Sequence, residues 1–399
     1  MEKRKFRTLD DIKVKGKRVL VRVDFNVPLK NGRVADDGRL RAALPTIKAL
    51  LAKKPRAIIL MSHLGRPKGV DPKLRLDPVA ARLSKLLNRK VIKLGDCVGS
   101  DISTAVIKAK PGAVILLENL RFHSEEEGND RKFARQLASL ADVYVDDAFG
   151  SVHRAHASVE GVTHYLPSAA GLLLEKEIVN LSAVLQKPQR PFVAVLGGAK
   201  VSDKIGVITN LLKKADAILV GGAMMFTFLK ALGRQTGKSM VEKDKLKLAK
   251  RLLKESKGRI ILPVDAMVAR TIKTPAGAKV VPVSAIPKGL VGVDIGPETA
   301  RLYAEIIDEA KTVVWNGPMG VFEVPDFSGG TLAIAAAMAR NRGLTVVGGG
   351  ESGEAVRKAG VESKLTHVST GGGASLEFLE GKKLPGIVAL ERNARKRSL

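Results

Sequence analysis

Short runs of apolar, β-branched residues alternate along the chain with longer stretches whose apolar positions recur every three or four residues. In the first part, the runs at 18–24, 57–62, 114–118 and 142–146 predict strands. In the second, those at 192–196, 217–220, 260–264, 312–315, 344–347 and 366–369 do the same. Helical patterns lie between them, for example at 75–87, 131–140 and 331–340. Strands that are apolar throughout are buried on both faces, which is the mark of parallel sheets covered by helices. The class is therefore α/β. Periodicity alone leaves a barrel of eight βα units open, but so many strands fit two doubly wound domains more naturally. The stretch from Leu172 to Leu185, closed by Lys187-Pro188, predicts one helix between the two halves, a candidate linker and hinge.

A chain of 399 residues is too long for a single hydrophobic core, which agrees with two domains. No run approaches the roughly 18 apolar residues of a membrane span, and no apolar stretch follows the charged start MEKRKFRTLD, so neither a membrane anchor nor a secretory signal is expected. The single cysteine, Cys97, rules out an internal disulfide, fits a reducing cytoplasm and is expected to be a small buried thiol. Charge is the unusual feature: 68 Lys+Arg against 40 Asp+Glu gives +28. Such a balance favours polyanions, whether nucleic acid, anionic membrane or phosphorylated metabolites. Aromatics are only 4% and no reading module is visible, so no specific nucleic-acid partner is expected. The basic residues are scattered, apart from a short tail, Arg395-Lys396-Arg397.

Glycine divides the chain. Residues 1–170 hold 11 of the 39 glycines, and many of the rest stand as doublets or triplets at predicted strand ends: Gly197-Gly198, Gly221-Gly222, Gly348-Gly349-Gly350 and Gly371-Gly372-Gly373. Glycine at a strand-to-helix turn lets backbone N–H groups approach a phosphate closely. In the first half the strand ends carry other chemistry. They read Arg22-Val23-Asp24-Phe25-Asn26-Val27-Pro28, Ser62-His63-Leu64-Gly65-Arg66-Pro67 and Glu118-Asn119-Leu120-Arg121-Phe122-His123, followed by His153-Arg154-Ala155-His156-Ala157-Ser158. Open α/β sheets bind ligands beyond the carboxyl ends of their strands. Arg66, Arg121, Arg154 and His63 stand there, with Arg39 on another loop, and arginine's planar fork suits phosphate and carboxylate. The asymmetry points to an anionic-substrate half followed by a nucleotide half. In the second half, Gly197-Gly198-Ala199-Lys200-Val201-Ser202-Asp203-Lys204 closes a strand and opens a predicted helix. Lys200 and Lys204, four apart, are expected on one face of it, above the glycine doublet, to neutralise nucleotide phosphates.

Three motifs do not carry the chemistry they suggest. Gly233-Arg234-Gln235-Thr236-Gly237-Lys238-Ser239 has three residues between its glycines where a Walker A loop needs four, and it follows a helical stretch. Gly348-Gly349-Gly350-Glu351-Ser352-Gly353 satisfies G-x-G-x-x-G after a strand, but Ser369-Thr370-Gly371 at the next strand end offers no acid for a ribose. A nicotinamide dehydrogenase is thereby disfavoured. His153 and His156 have no Cys or third His at a metal-site spacing, so no zinc site is assigned to them.

Taken in order, Arg22–Pro28, His63–Pro67, Glu118–His123, His153–Ser158, Gly197–Ile205, Trp315–Glu323 and Ser369–Ser375 resemble the phosphoglycerate kinase family over nearly the whole chain. The resemblance implies two Rossmann-like domains joined by a helix, with a C-terminal return at Leu384-Pro385-Gly386. The expected division is 1–170 plus 385–399 for 3-phosphoglycerate, 171–187 for the hinge helix and 188–384 for nucleotide. It implies that Asp24, Phe25, Asn26, Arg39, His63, Leu64, Gly65, Arg66, Arg121 and Arg154 hold 3-phosphoglycerate or 1,3-bisphosphoglycerate. ATP or ADP would fall to Gly198, Ala199, Lys200, Lys204, Gly222, Asn316, Pro318, Glu323, Gly349, Gly350, Glu351 and Ser352. Ala223 stands where the family has the second glycine of an adenine-side doublet. Glu351 stands where the family usually has the aspartate that meets the Mg2+ of the nucleotide, so the metal contact is carried by a longer side chain.

The implied chemistry is self-consistent. The attacking 3-phosphoglycerate carboxylate is already ionised at neutral pH, so no general base is required and none is obvious. Catalysis then rests on placement and positive charge, expected from Arg39 and Lys200, with Mg2+ and the backbone amides of Gly371–Gly373, including Gly372 and Gly373, assisting. A cytoplasmic monomer is expected. The rival reading, a polyanion-binding protein on an inactive kinase scaffold, has only the +28 charge in its favour.

Overall fold

The computed structural model describes residues 5–396; Arg397 of the basic tail lies outside them. The chain forms two compact units, 1–178 with 383–399 and 179–382.

The first unit is built on a parallel sheet of six strands: β1 (Arg18–Arg22), β2 (Ala57–Met61), β3 (Val91–Lys93), β4 (Ala113–Leu116), β5 (Val143–Asp146) and β6 (Ser168–Ala170), in the order β3-β4-β2-β1-β5-β6. Alternate residues of the same strand feed different cores. Val19 and Val21 join Ile58, Leu60 and Val145 on one face, while Leu20 joins Ile59, Met61 and Tyr144 on the other. This is why the strand sequences show no polar alternation. The chain leaves β1 in one direction to β2, β4 and β3 and in the other to β5 and β6, so the strand order reverses between β1 and β5. Helix α1 (Gly38–Ala52) and helix α2 (Asp77–Leu87) contribute Leu40, Ile47, Leu50, Val79 and Leu83 to the first core.

The second unit repeats the plan with β7 (Phe192–Leu196), β8 (Ala217–Val220), β9 (Ile260–Ile261), β13 (Thr312–Asn316), β14 (Leu344–Gly348) and β15 (His367–Val368), once the intervening strands β10 (Asp265–Ala269), β11 (Lys279–Pro282) and β12 (Val291–Ile295) are numbered. The parallel order is β9-β8-β7-β13-β14-β15, and the order reverses between β7 and β13. Strands β10, β11 and β12 form a separate antiparallel sheet, β11-β10-β12, that the sequence pattern did not announce. The predicted strand at 260–264 is confined to β9, because the chain turns off at Leu262-Pro263 and enters β10 two residues later. The short edge strands β3 and β6 were likewise not anticipated. The helix expected from Leu172 runs as α3 (Leu172–Gln186) and crosses the boundary between the two units at 178/179.

The C-terminal helix α4, counted here after α3 and spanning Pro385–Arg395, belongs to the first unit. Buried Asn393 donates to the carbonyls of Thr163 and Leu166 and accepts from Ser168 N–H and Arg7, so all its hydrogen-bonding capacity here goes to that unit.

Candidate functional site

In the first unit, the strand ends at the reversal point open onto a cationic surface. At its base lies Arg22, the last residue of β1 and only 1% exposed. Its guanidinium donates to Ser158 Oγ (2.9 Å), Ser151 Oγ (3.2 Å) and the Val23 carbonyl (2.5 Å), and reaches His63 Nδ1 at 3.1 Å. A guanidinium only donates, so Nδ1 of His63 accepts and its hydrogen sits on Nε2. Burial, reinforced by Arg22, drives the His63 imidazolium well below its ordinary range. His63 is thus a neutral ring whose Nε2–H is available as a donor.

Asp24 and Arg39 form an ion pair of 2.5 Å. Burial raises the Asp24 carboxyl, but Arg39, then His63 and Arg22, outweigh it and hold the pKa below the ordinary value. Asn26 receives Gly65 N–H on its Oδ1 at 2.9 Å, and its own N–H donates to Asp24 Oδ1 at 3.1 Å. A hollow of about 420 Å³ beside this contact is lined by Asn26, Leu64, Gly65 and Lys73. Arg121 is nearly buried, donates to the Gly65 carbonyl at 2.7 Å and pairs with Glu127 at 3.1 Å. The turn that carries it is set by Asn119, whose Oδ1 caps Arg121 N–H and Leu64 N–H and whose amide donates to the Leu64 and Leu74 carbonyls. Arg154 is half-buried and lies against His153. Burial, then Arg22, Arg121 and Arg154, pushes the neighbouring His156 down to about 3. Arg22, Arg39, Arg121 and His63 therefore share one electrostatic field, with Arg154 beside Arg121. Its surplus of positive charge suits a small anion.

Not every expected residue contributes in the same way. Phe25 and Leu64 are buried among the core side chains, so only their backbone faces the site. Arg66 is exposed and makes no hydrogen bond or ion pair among the described residues. It stands apart from the shared field. Arg22 and Asn119 were quoted within motifs but not singled out; that an arginine at a strand end is buried cannot be read from its position alone.

In the second unit, the ends of β7 and β13 meet at the reversal point, where ligands settle in open α/β sheets. The backbone here is packed closely. A Cβ on Gly197 would lie 2.0 Å from the Pro318 carbonyl oxygen, and one on Gly222, at φ +65°, would lie 2.4 Å from Gly198 N. Only glycine permits that approach, and it leaves the floor of a cavity of about 200 Å³ made largely of backbone. Gly198, Ala199, Gly222, Ala223, Pro318, Glu323 and Glu351 line the cavity, together with Phe226, Gly292, Val293, Asp294 and Met319. The latter five were missed. Most come from the unannounced antiparallel sheet or from the interior of a helix, where no turn signal marks them.

The two lysines do not share a helical face. Lys200 is exposed in the loop after β7 and has no protein partner among the described residues. The chain then bends at Val201 and makes a single 3-10 turn, Ser202–Lys204, before helix Ile205–Leu211 begins. Lys204 is buried at 9% exposure and its ammonium contacts Asn316 Oδ1. Asn316 is itself fixed by donation to the Gly348 carbonyl at 2.9 Å. Burial brings Lys204 down to about 8, partly offset by Glu351, Asp203 and Glu380. Ser352 is buried and accepts Gly317 N–H at 2.6 Å, tying the β14 turn to the β13 turn. Gly349 enters the helix Gly350–Lys358 at φ +97°, and beyond Gly350 there is open space. Glu351 is exposed in the first turn of that helix. Gly372, at φ +50°, precedes the short helix Gly373–Leu379. Gly371 N–H is held by Ser369 Oγ at 3.1 Å.

The family model described as phosphoglycerate kinase matches residues 9–382. A phosphoglycerate kinase of Moorella thermoacetica is 61% identical over 387 residues, covering 96% of this chain and 98% of that protein. One from Dictyoglomus turgidum is 57% identical over 395 residues, covering 98% of this chain and 100% of that protein. The solved structure of phosphoglycerate kinase from Coxiella burnetii superposes with a TM-score of 0.88 at 41% identity, covering 98% of this chain and 100% of that one.

Proposed function

From the premise that this chain belongs to the phosphoglycerate kinase family, and so transfers a phosphoryl group between 1,3-bisphosphoglycerate and ADP, we propose how its residues divide that work. The observation that carries the assignment is the pairing of two different sites. One is a cationic surface around Arg22, Arg39, His63 and Arg121; the other is a backbone-floored cavity with Lys204 beside Gly198 and Lys200 next in the chain to its lining residue Ala199.

On the first unit, His63 Nε2–H, Arg121, Arg154 and the more peripheral Arg66 hold the anionic ends of 3-phosphoglycerate. Asp24 keeps Arg39 oriented through their ion pair, so Arg39 meets the acyl group with its charge already placed. Asp24 and Asn26 supply acceptors to the substrate hydroxyl. On the second unit, the base and ribose occupy the cavity between Gly222 and Pro318, with Glu323 at its mouth. Lys204 meets the nucleotide phosphates, and exposed Lys200 meets the phosphoryl group in transit. The carboxylate of 3-phosphoglycerate is the nucleophile in the ATP-consuming direction, so no side chain needs to take a proton.

Mg2+ binds through one or two carboxylates and the phosphates of its nucleotide. An exposed Glu351 in a helix's first turn, close enough to influence Lys204, fits that donor set. When bound, Mg2+ neutralises phosphate charge. Every residue given a role here belongs to the one chain, in keeping with action as a monomer. No helix among the described residues is long and apolar enough to cross a membrane.

The test is to separate binding from chemistry. Arg66→Ala is expected to raise KM for 3-phosphoglycerate with kcat nearly unchanged, and Arg39→Ala to lower kcat by roughly 10²–10³-fold. Equal kcat losses in both variants would overturn this division.

A further inference from the structure

Next to the turn that carries Asn119 and Arg121, three side chains of different chemistry converge. They are Asp96, Cys97 and His123. One donor atom from each, a carboxylate oxygen, the thiol sulfur and an imidazole nitrogen, all lie within 4.8 Å of one another. Among the described residues no other group of three such donors is so close. Two separate loops supply them: Asp96-Cys97 follow β3, and His123 ends the turn after β4.

The cluster is held in place without an ion. His123 Nε2 meets Asp96 Oδ1 at 2.6 Å, and the same oxygen accepts Cys97 N–H at 2.6 Å. The His123 ring packs on Phe133 with centroids 5.1 Å apart. The Cys97 thiol is fully buried and donates to the Glu118 carbonyl at 2.9 Å. Access is from the surface, since the side chains of His123 and Asp96 are 26% and 51% exposed. Burial raises the thiol well above its ordinary value, and Asp96, Glu126 and Glu118 raise it further. Their field opposes a thiolate but attracts a cation.

We propose that Asp96, Cys97 and His123 form a second metal site, selective for a zinc-like divalent ion and distinct from the site of the nucleotide's Mg2+. Sulfur and imidazole nitrogen are ligands for such ions, whereas Mg2+ takes oxygen donors in a near-octahedral shell. Bonds of about 2.0–2.3 Å in a tetrahedral arrangement place donors roughly 3.3–3.8 Å apart. The Asp96–His123 contact must therefore open by about 1 Å, with half-exposed Asp96 giving up its short bonds to His123 and Cys97 N–H, while donors toward the 4.8 Å limit close by about 1 Å. A water would complete the fourth position. The protons balance simply: the thiol gives its proton to solvent, and the hydrogen on Nε2 moves to Nδ1 or is released, with no change of oxidation state.

Because Cys97 is the only cysteine, any metal–thiolate signal reports on this site alone. The full-length, reduced protein is titrated with Cd2+ while its ultraviolet thiolate-to-metal absorbance is followed, and then back-titrated with Zn2+. The expected result is a band that saturates at one equivalent and is displaced by Zn2+. Cys97→Ala should abolish it, and His123→Gln or Asp96→Asn should weaken Cd2+ binding at least tenfold while far-ultraviolet dichroism stays native. Absence of the band in the wild type would overturn the proposal. So would a band indifferent to both His123→Gln and Asp96→Asn, because the thiol would then bind metal unaided.

Discussion

Replacing Lys204 by methionine separates the cost of burying a charge from its use. An ordinary lysine near 10.5 that is held at about 8 in the folded protein corresponds to about 3 kcal/mol of destabilisation while the group is charged. The sign follows from proton counting. Below about 8 both folded and unfolded chains carry the proton, and the full cost is present. Between about 8 and 10.5 only the unfolded chain keeps it, so stability rises with pH across that window. Methionine removes the charge and keeps the buried volume, but strands Asn316 Oδ1, at about 1–3 kcal/mol. Lys204→Met should therefore leave the unliganded protein as stable as the wild type, or up to about 2 kcal/mol more stable, at pH 7. That advantage should vanish toward pH 10, where the wild-type lysine has also lost its charge. Nucleotide affinity should move the other way, with Kd for MgADP raised roughly 10- to 100-fold at pH 7 by loss of one charge-assisted contact. The assays are denaturant unfolding at pH 7 and 10, and calorimetric titration with MgADP. A variant several kcal/mol less stable than wild type at pH 7, or one that binds MgADP within twofold of wild type, would refute the reasoning.

Two further substitutions probe the same unit from other sides. Gly197→Ala places a methyl group 2.0 Å from the Pro318 carbonyl, a backbone atom that cannot swing aside. It should cost about 1–3 kcal/mol in denaturant unfolding and weaken nucleotide binding; a loss under about 0.5 kcal/mol would show that the β7–β13 turn is not closely packed. Glu351→Ala should raise the Mg2+ concentration that half-saturates activity by roughly tenfold, the scale of one carboxylate ligand lost to a divalent ion. An unchanged Mg2+ dependence would remove Glu351 from the metal assignment.

The doubly wound fold was legible wherever strands are buried on both faces, because runs such as those of β1, β2, β7 and β13 carry no polar interruptions. It was not legible where burial is one-sided or short. Strand β3 has only Val91 fully inside, and β11 is exposed through most of its length. Two of the glycine doublets fall beside a cavity, lined by Gly198 and Gly222, since close backbone packing demands glycine whatever the surroundings. They could not reveal Phe226 or Asp294, which reach the cavity through tertiary packing alone. Lys200 and Lys204 illustrate the limit of spacing arguments. Four residues apart implies one face only on a regular helix, and here a bend and a 3-10 turn intervene, leaving one lysine exposed and the other buried. Arg22 shows the converse: its motif was recognised, while its place beneath His63 depended on Ser151 and Ser158, more than a hundred residues away.

The most direct test of phosphoryl transfer by charge from both units is a coupled assay with ATP, Mg2+ and 3-phosphoglycerate on the wild type and Lys200→Ala. The wild type should turn over, and Lys200→Ala should lose roughly 10²–10³-fold in kcat while remaining folded and still binding both substrates. Near-normal turnover by Lys200→Ala would contradict the assignment of the transferring charge to this residue, and a folded but inactive wild type would contradict the kinase assignment itself.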